Sequence, residues 1–321
     1  MARLVDKIVG HKEQIELLSM LRQSGRWPHA LLFSGPSGIG KRKIALAFAQ
    51  MLICPEQPGA CGICGACLRV EKEQSESLIL LSPDPELSKK VIKVDAVREL
   101  LDSLSLVGIG RARVVIIDQA DTMNSQAANA LLKTLEEPFE NVFFVLIGRE
   151  VQSFLPTIRS RSQVMRFAPL SYDDLRAIKP ELPDWAYRSS RGQLDQLQLL
   201  TSQDGMAKRE EALTLFEQFC EDPQFLLDSV WKSQVKDRAQ AQFNIKCWLQ
   251  LIRDLLILKT QAQQFVLNTD QVTRLKKLYQ IHSQQLTKLS ENLILAERAL
   301  YGNADPVLVF ENLWVKYDRV D

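Results

Sequence analysis

The chain has 321 residues, 46% of them hydrophobic and 25% charged, with a formal net charge of +1. That length exceeds one ordinary domain of about 100–200 residues and implies two or three. The near-neutral charge excludes a globally basic nucleic-acid binder, so any DNA contact has to come from a local patch or from an assembled complex.

The opening segment MARLVDKIVGHKEQ carries charges where a secretory signal would be apolar. No stretch reaches the roughly 18 unbroken apolar residues that a membrane span needs. A cytoplasmic protein is expected. Ala30 to Ser34 forms a short apolar run that ends in Gly35-Pro36-Ser37-Gly38-Ile39-Gly40-Lys41. A helical pattern follows from Arg42 to about Leu52, with Ile44, Ala45, Phe48, Ala49 and Leu52 on one face. After a cysteine-rich segment, Ser77 to Leu81 reads as a second strand. Asp95 is placed to cap a helix running to about Leu104. Val114 to Ile117 is a buried strand ending at Asp118, Ser125 to Glu137 is a helix stopped by Pro138, and Val142 to Ile147 is another buried strand. A fifth short strand is expected around Val164 to Phe167. Continuous apolar strands alternating with helices imply a parallel sheet covered on both faces.

Beyond Pro169 the pattern changes. Residues 170–205 read as short helices broken by Pro180, Pro183, Gly192 and Gly205, and from Met206 onward the chain is nearly all helix. The expected organisation is an α/β domain over 1–168, a small helical lid over 169–205 and a larger helical domain over 206–321. The stripe of Trp248, Leu249, Leu251, Ile252, Leu255 and Leu256 reads as core rather than as an interface.

Strand, glycine turn and helix is the context of a phosphate loop, whose backbone N–H groups and lysine cradle phosphate oxygens. Gly35, Gly38, Gly40 and Lys41 are its candidates here, with Asp118 as the strand-end carboxylate. The loop departs from GxxxxGK[ST] at Arg42, which replaces the hydroxyl that ligates magnesium. A guanidinium has no lone pair to offer, and at ~4 Å two like charges repel by about 4 kcal/mol at an effective dielectric of ~20. Gln119 follows Asp118 where a carboxylate would accept a proton from water, which an amide does poorly. The loop is therefore expected to persist as a turn rather than as a hydrolytic centre, although Arg42 could still contact a phosphate.

Six cysteines are present, and Cys54, Cys61, Cys64 and Cys67 fall within fourteen residues. In a reducing compartment such a cluster suits a metal better than disulfides. Four thiolates on a glycine-bearing loop fit tetrahedral zinc with no open position, hence a structural role. Binding such an ion can supply about 10–16 kcal/mol to a segment too small for its own core. Cys220 and Cys247 lie in helical patterns and read as buried and inert.

Several segments together resemble the bacterial clamp-loader ATPases of the AAA+ class. They are Ile8–His11, His29–Lys41, the cysteine module, Val94–Leu100, Asn129–Pro138 and Ile158–Arg161. The resemblance covers about the first half of the chain. It implies a P-loop domain, a lid and an oligomerising helical collar in a ring that loads a sliding clamp onto primed DNA. It also implies partners: ATPase subunits of the gamma/tau kind, a delta subunit, and clamp and DNA reached through the assembled complex. The family's trans-acting arginine, set in a Ser-Arg-Cys motif, matches Arg161 in Ser160-Arg161-Ser162. Its sensor 1 position falls on Gly148. The arginine of its Gly-Ser-Leu-Arg lid motif falls on Asp195 of Gly192-Gln193-Leu194-Asp195. Groups for hydrolysis in cis are altered while the group acting in trans is kept, so a non-hydrolysing member is expected. Two rivals are an active gamma/tau-type ATPase, which would have to hydrolyse despite Arg42 and Gln119, and a zinc-stapled scaffold that binds DNA by itself. The basic run Lys89, Lys90 and Lys93 reads as a solvated face.

Overall fold

The computed structural model describes residues 3–56, 59–84, 91–105, 112–221, 225–227 and 229–318. Lys89 and Lys90 lie outside the described residues. The chain divides into two compact units, one of residues 1–178 and 192–195, the other of residues 179–191 and 196–321.

The first unit is built on five parallel strands: β1 (Ala30–Ser34), β2 (Leu78–Leu81), β3 (Arg113–Ile117), β4 (Val142–Gly148) and β5 (Gln163–Arg166), in the order β2-β3-β4-β1-β5. Each lies within a residue of its expected place. Ala30, Leu32, Val115, Ile117, Phe144 and Leu146 join one apolar cluster, while Leu31, Phe33, Val114, Ile116 and Val145 are buried as well. Both faces are thus dry, which is why these strands read as unbroken apolar runs rather than alternating ones. The helices are α1 (Lys12–Ser24), α2 (Lys41–Ile53), α3 (Gly65–Glu71), α4 (Val94–Ser105), α5 (Ser125–Glu136), α6 (Pro156–Ser160) and α7 (Tyr172–Ile178). Asp95 sits inside the first turn of α4 beside Arg98 rather than capping it. Asn124 caps α5 by accepting the Ala127 N–H at 2.8 Å. Gln50 on α2 is buried. It accepts the Leu4 N–H at 3.1 Å and donates to the Cys67 carbonyl at 3.2 Å, tying the cysteine segment to the domain.

The second unit is helical. It includes α8 (Asp184–Ser189), most of α9 (Leu194–Thr201), α10 (Gln203–Glu221), α11 (Val230–Val235), α12 (Arg238–Lys259), α13 (Val272–Lys277), α14 (Ser283–Tyr301) and α15 (Pro306–Asp318). Gly205, expected to break a helix, instead lies in the first turn of α10. A Cβ there would fall 1.7 Å from the Leu199 carbonyl oxygen, so the glycine permits a close approach of backbone. Trp248 of α12 is fully buried among Phe216, Phe219 and Phe310, and its indole N–H donates to the Ala212 carbonyl at 2.9 Å. The stripe around it is core, as its period implies. Asp254 on the same helix is also fully buried. Its carboxylate is matched by the N–H groups of Leu267 and Asn268, the Asn268 amide and Arg253. Arg209 completes this network by pairing with Asp270 at 2.8 Å and donating to Asn268 at 2.9 Å. Burial pushes the thiols of Cys220 and Cys247 up to about 12, which leaves both protonated and unreactive.

Replacing Trp248 by Ala removes a fully buried core side chain and its hydrogen bond to the Ala212 carbonyl. The expected loss is about 3–5 kcal/mol, read as a lowered urea midpoint for unfolding of the helical unit.

Candidate functional site

The glycine loop leaves the end of β1 and turns into α2, as a phosphate loop does. Its start is fixed by the Gly35 N–H donating to the Gly148 carbonyl at the end of β4. Gly38 and Gly40 have φ of 67° and 96°, a left-handed conformation that favours glycine. At Gly38 a Cβ would also collide with the Asp195 carboxylate. The loop, Asp118, Gln119, Asp121, Gly148, Arg149 and Asp195 surround one cleft of about 370 Å³.

The cleft is occupied by the chain's own charges. Lys41 is 7% exposed, and its ammonium donates to the carbonyls of Gly35, at 2.6 Å, and Pro36. Arg42 lies one residue on, across the cleft. Its guanidinium forks onto Glu73 at 2.6 and 3.1 Å and reaches Asp118 Oδ2 at 3.4 Å. It therefore fills the place where a divalent cation would meet the strand-end carboxylate. The hydrogen bonds it donates to Glu73 raise the Arg42 pKa further. The other Asp118 oxygen accepts the Gln119 N–H at 2.9 Å. Asp195 accepts from Ser37 Oγ at 3.1 Å, which sets a carboxylate against the loop where anionic oxygens would bind.

Gly148 stands at the end of β4, and the Phe154 ring lies so close that a Cβ would fall 2.5 Å from its edge. No polar side chain fits there without moving that ring. Sequence reasoning missed Glu73, Phe154, Asp121 and Arg149 as parts of this site. Glu73 lies 31 residues from Arg42, and no local pattern links the two.

Arg161 is at the opposite end of the strands, just before β5 begins. Residue 163 pairs with Leu31, so Arg161 stands level with His29, before β1 begins. Six residues of strand at ~3.3 Å each put it about 20 Å from the loop at Gly35, too far to serve its own cleft. Its guanidinium pairs with Glu136 at 2.7 Å and donates to the Thr157 carbonyl at 3.1 Å.

The four clustered cysteines converge, with all sulfurs within 4.8 Å of one another. The Cys54–Cys64 and Cys61–Cys67 pairs are each 3.9 Å apart. A zinc–sulfur bond of ~2.3 Å in a tetrahedron implies sulfurs about 3.8 Å apart, so the geometry fits such an ion. The N–H groups of Cys61, Cys64 and Cys67 donate to the preceding sulfurs at 3.3 to 3.4 Å. Such bonds favour thiolates: those from Ile63 and Cys64 bring the Cys61 thiol down to about 7, whereas burial pushes the Cys67 thiol well up. These four residues form a group that could hold a metal ion.

A parallel sheet with a glycine loop at the tip of β1 and an aspartate at the tip of β3, followed by helices, defines an α/β domain of the P-loop type. A family model described as DNA polymerase III, delta subunit, matches residues 10–171, and the chain belongs to that family. Among curated relatives, the DNA polymerase III subunit delta' of Pseudomonas aeruginosa is 40% identical over 176 residues, 53% of each chain. Subunit delta' of Bacillus subtilis is 26% identical over 310 residues, 93% of each chain. Subunit gamma/tau of Mycobacterium tuberculosis is 35% identical over 175 residues, 54% of this chain and 30% of the relative. The chain thus spans about half the length of the Pseudomonas relative and under a third of the mycobacterial one. Among the described residues, no helix is long and apolar enough to cross a membrane.

Burial lowers the Lys41 pKa to about 8 from 10.5, only partly countered by Asp118. Below pH 8 the lysine is charged in both folded and unfolded chains, so the cost of burying it is fully present. Between pH 8 and 10.5 the unfolded chain binds more protons, and folding gains stability with rising pH. The unfolding free energy of wild type relative to Lys41→Met should therefore be flat below pH 8 and rise above it, as urea titrations at several pH values can read.

Proposed function

We propose that this chain is a non-hydrolysing subunit of a DNA polymerase III clamp loader, working in the cytoplasm. In this reading it lends Arg161 to a nucleotide bound by a neighbouring ATPase subunit of the gamma/tau kind. A delta subunit, the sliding clamp and primed DNA are its further partners, met through the assembled complex. The helical region from 206 to 321 acts as the oligomerisation collar, and residues 169–205 correspond to the lid.

The observation that carries the reading is the Arg42 guanidinium lodged between Glu73 and Asp118. Magnesium entering there would meet a fixed positive charge and a carboxylate already engaged. Lys41 on the loop carbonyls and Asp195 on Ser37 argue in the same direction, against tight ATP or ADP binding. Arg161 stands outside this cleft and is one-third exposed, as a residue serving another subunit would be. An active gamma/tau-type ATPase is disfavoured by the same arginine, and an autonomous DNA-binding scaffold by the net charge of +1.

The purified chain should show no magnesium-dependent ATP turnover above background. In the assembled complex with clamp and primed DNA, Arg161→Ala should lower turnover at the adjoining ATPase site by about 10³–10⁵-fold, since an arginine finger is worth that much. Turnover unchanged by Arg161→Ala, measured in a single-turnover assay, would remove the residue from this role.

For the cysteine cluster we infer structural zinc. Four protein thiolates leave no open position for chemistry, and the group's work would be to hold the loop before α3 in shape. Elemental analysis should find about one zinc per chain, falling to near none in Cys64→Ser, with new protease cleavage within residues 54–71. A wild-type chain free of zinc but intact there would refute it.

A further inference from the structure

We propose that Glu136 is a positioning residue that keeps Arg161 in reserve. It holds the guanidinium on this chain until the phosphates of a neighbouring subunit's nucleotide displace its carboxylate. The inference rests on the trans role of Arg161 given above and adds a control on it.

Glu136 is the last residue of α5, and Glu137 follows as its C-cap. A carboxylate at that end of a helix faces the negative pole of the backbone dipoles, so its presence is unfavourable for the helix itself. What it gains is Arg161: Nη2 lies 2.7 Å from Glu136 Oε1. Nη1, on the other arm of the fork, donates to the Thr157 carbonyl at 3.1 Å and to Ser160 Oγ at 3.3 Å. The cation is thus turned back onto α5 and α6. Both partners remain accessible, with side-chain exposures of 34% for Arg161 and 49% for Glu136.

The surroundings look unfinished. Arg161 and Glu136 line an open cleft with His29, Ser160, Ser162 and Gln163. His29 Nε2 and Ser162 Oγ are buried in its walls with no hydrogen-bond partner. The cleft is open, and both members of the ion pair are accessible within it, so a second surface can reach them there. An exposed ion pair holds weakly, by no more than ~5-fold in its equilibrium constant, and salt screens it. A triphosphate carries more negative charge and more acceptor oxygens than one carboxylate. It takes the fork in exchange, and Glu136 sets the cost of that exchange.

The test uses the complex of this chain with its ATPase partner, clamp and primed DNA. Glu136→Gln keeps the shape and removes the charge. It should lower the KM for ATP by ~2–5-fold, carried by KM rather than kcat, and the gap from wild type should close as salt rises from about 50 to about 500 mM. Glu136→Asp, which keeps the charge, should restore the wild-type KM. A Glu136→Gln complex with unchanged KM, or with kcat reduced at every salt concentration, overturns the reserve. If Arg161→Ala lowers turnover while Glu136→Gln behaves as wild type, only the reserve fails. If Arg161→Ala has no effect, the trans role fails and the reserve with it.

Discussion

The guanidinium of Arg42 is lodged between Glu73 and Asp118, and the contacts at the start of α2 depend on it. Arg42 engages Asp118 directly and takes Glu73 as a second anionic partner. With Asp118 shared between Arg42 and the Gln119 N–H, Lys41 turns to the carbonyls of its own loop. The cleft brings Lys41, Arg42 and Arg149 together with Asp118, Asp121 and Asp195. The two ion pairs of Arg42, with Glu73 and Asp118, tie the start of α2 to the tip of β3 and to the segment beyond α3.

The two ends of the strands thus have different proposed tasks. At the tips of the strands the loop serves as a turn that joins β1 to α2. At the opposite end, α5 and α6 present Arg161 in a cleft of its own. Strand length separates the two, because five residues of β1 cannot be shortened without unpairing β4 and β5 from it. The cysteine segment belongs to the first of these ends. Gln50 fixes its Cys67 carbonyl, and Glu73, just beyond α3, carries the contact to Arg42.

Most of the sheet was legible in the sequence because its strands are buried on both faces and so appear as unbroken apolar runs bounded by turns. Val114–Ile117 and Val142–Ile147 are examples, and each lies within a residue of the observed strand. The glycine loop, Asp118 and the cysteine cluster were legible because their chemistry depends on local spacing. What escaped depends on contacts distant in the chain. Glu73 carries no motif, and Phe154 looks like any core aromatic until it lies against Gly148. Gly205 was misread because a glycine signals a helix end as readily as a close backbone approach, and only the Leu199 carbonyl distinguishes them. The partner of Arg161 was hidden in the same way: Glu136 is part of a recognisable segment, but nothing in its spacing points to residue 161.

The ring of Phe154 against Gly148 bears on which substitutions this chain accepts. A hydroxyl at 42 and a carboxylate at 119 would still leave β4 without a polar side chain at its tip, because a Cβ there strikes the ring. Removing the ring first would open a gap in a packed cluster and weaken the domain. Packing at the tip of β4 therefore resists a polar residue at 148 unless the ring and its neighbours move with it.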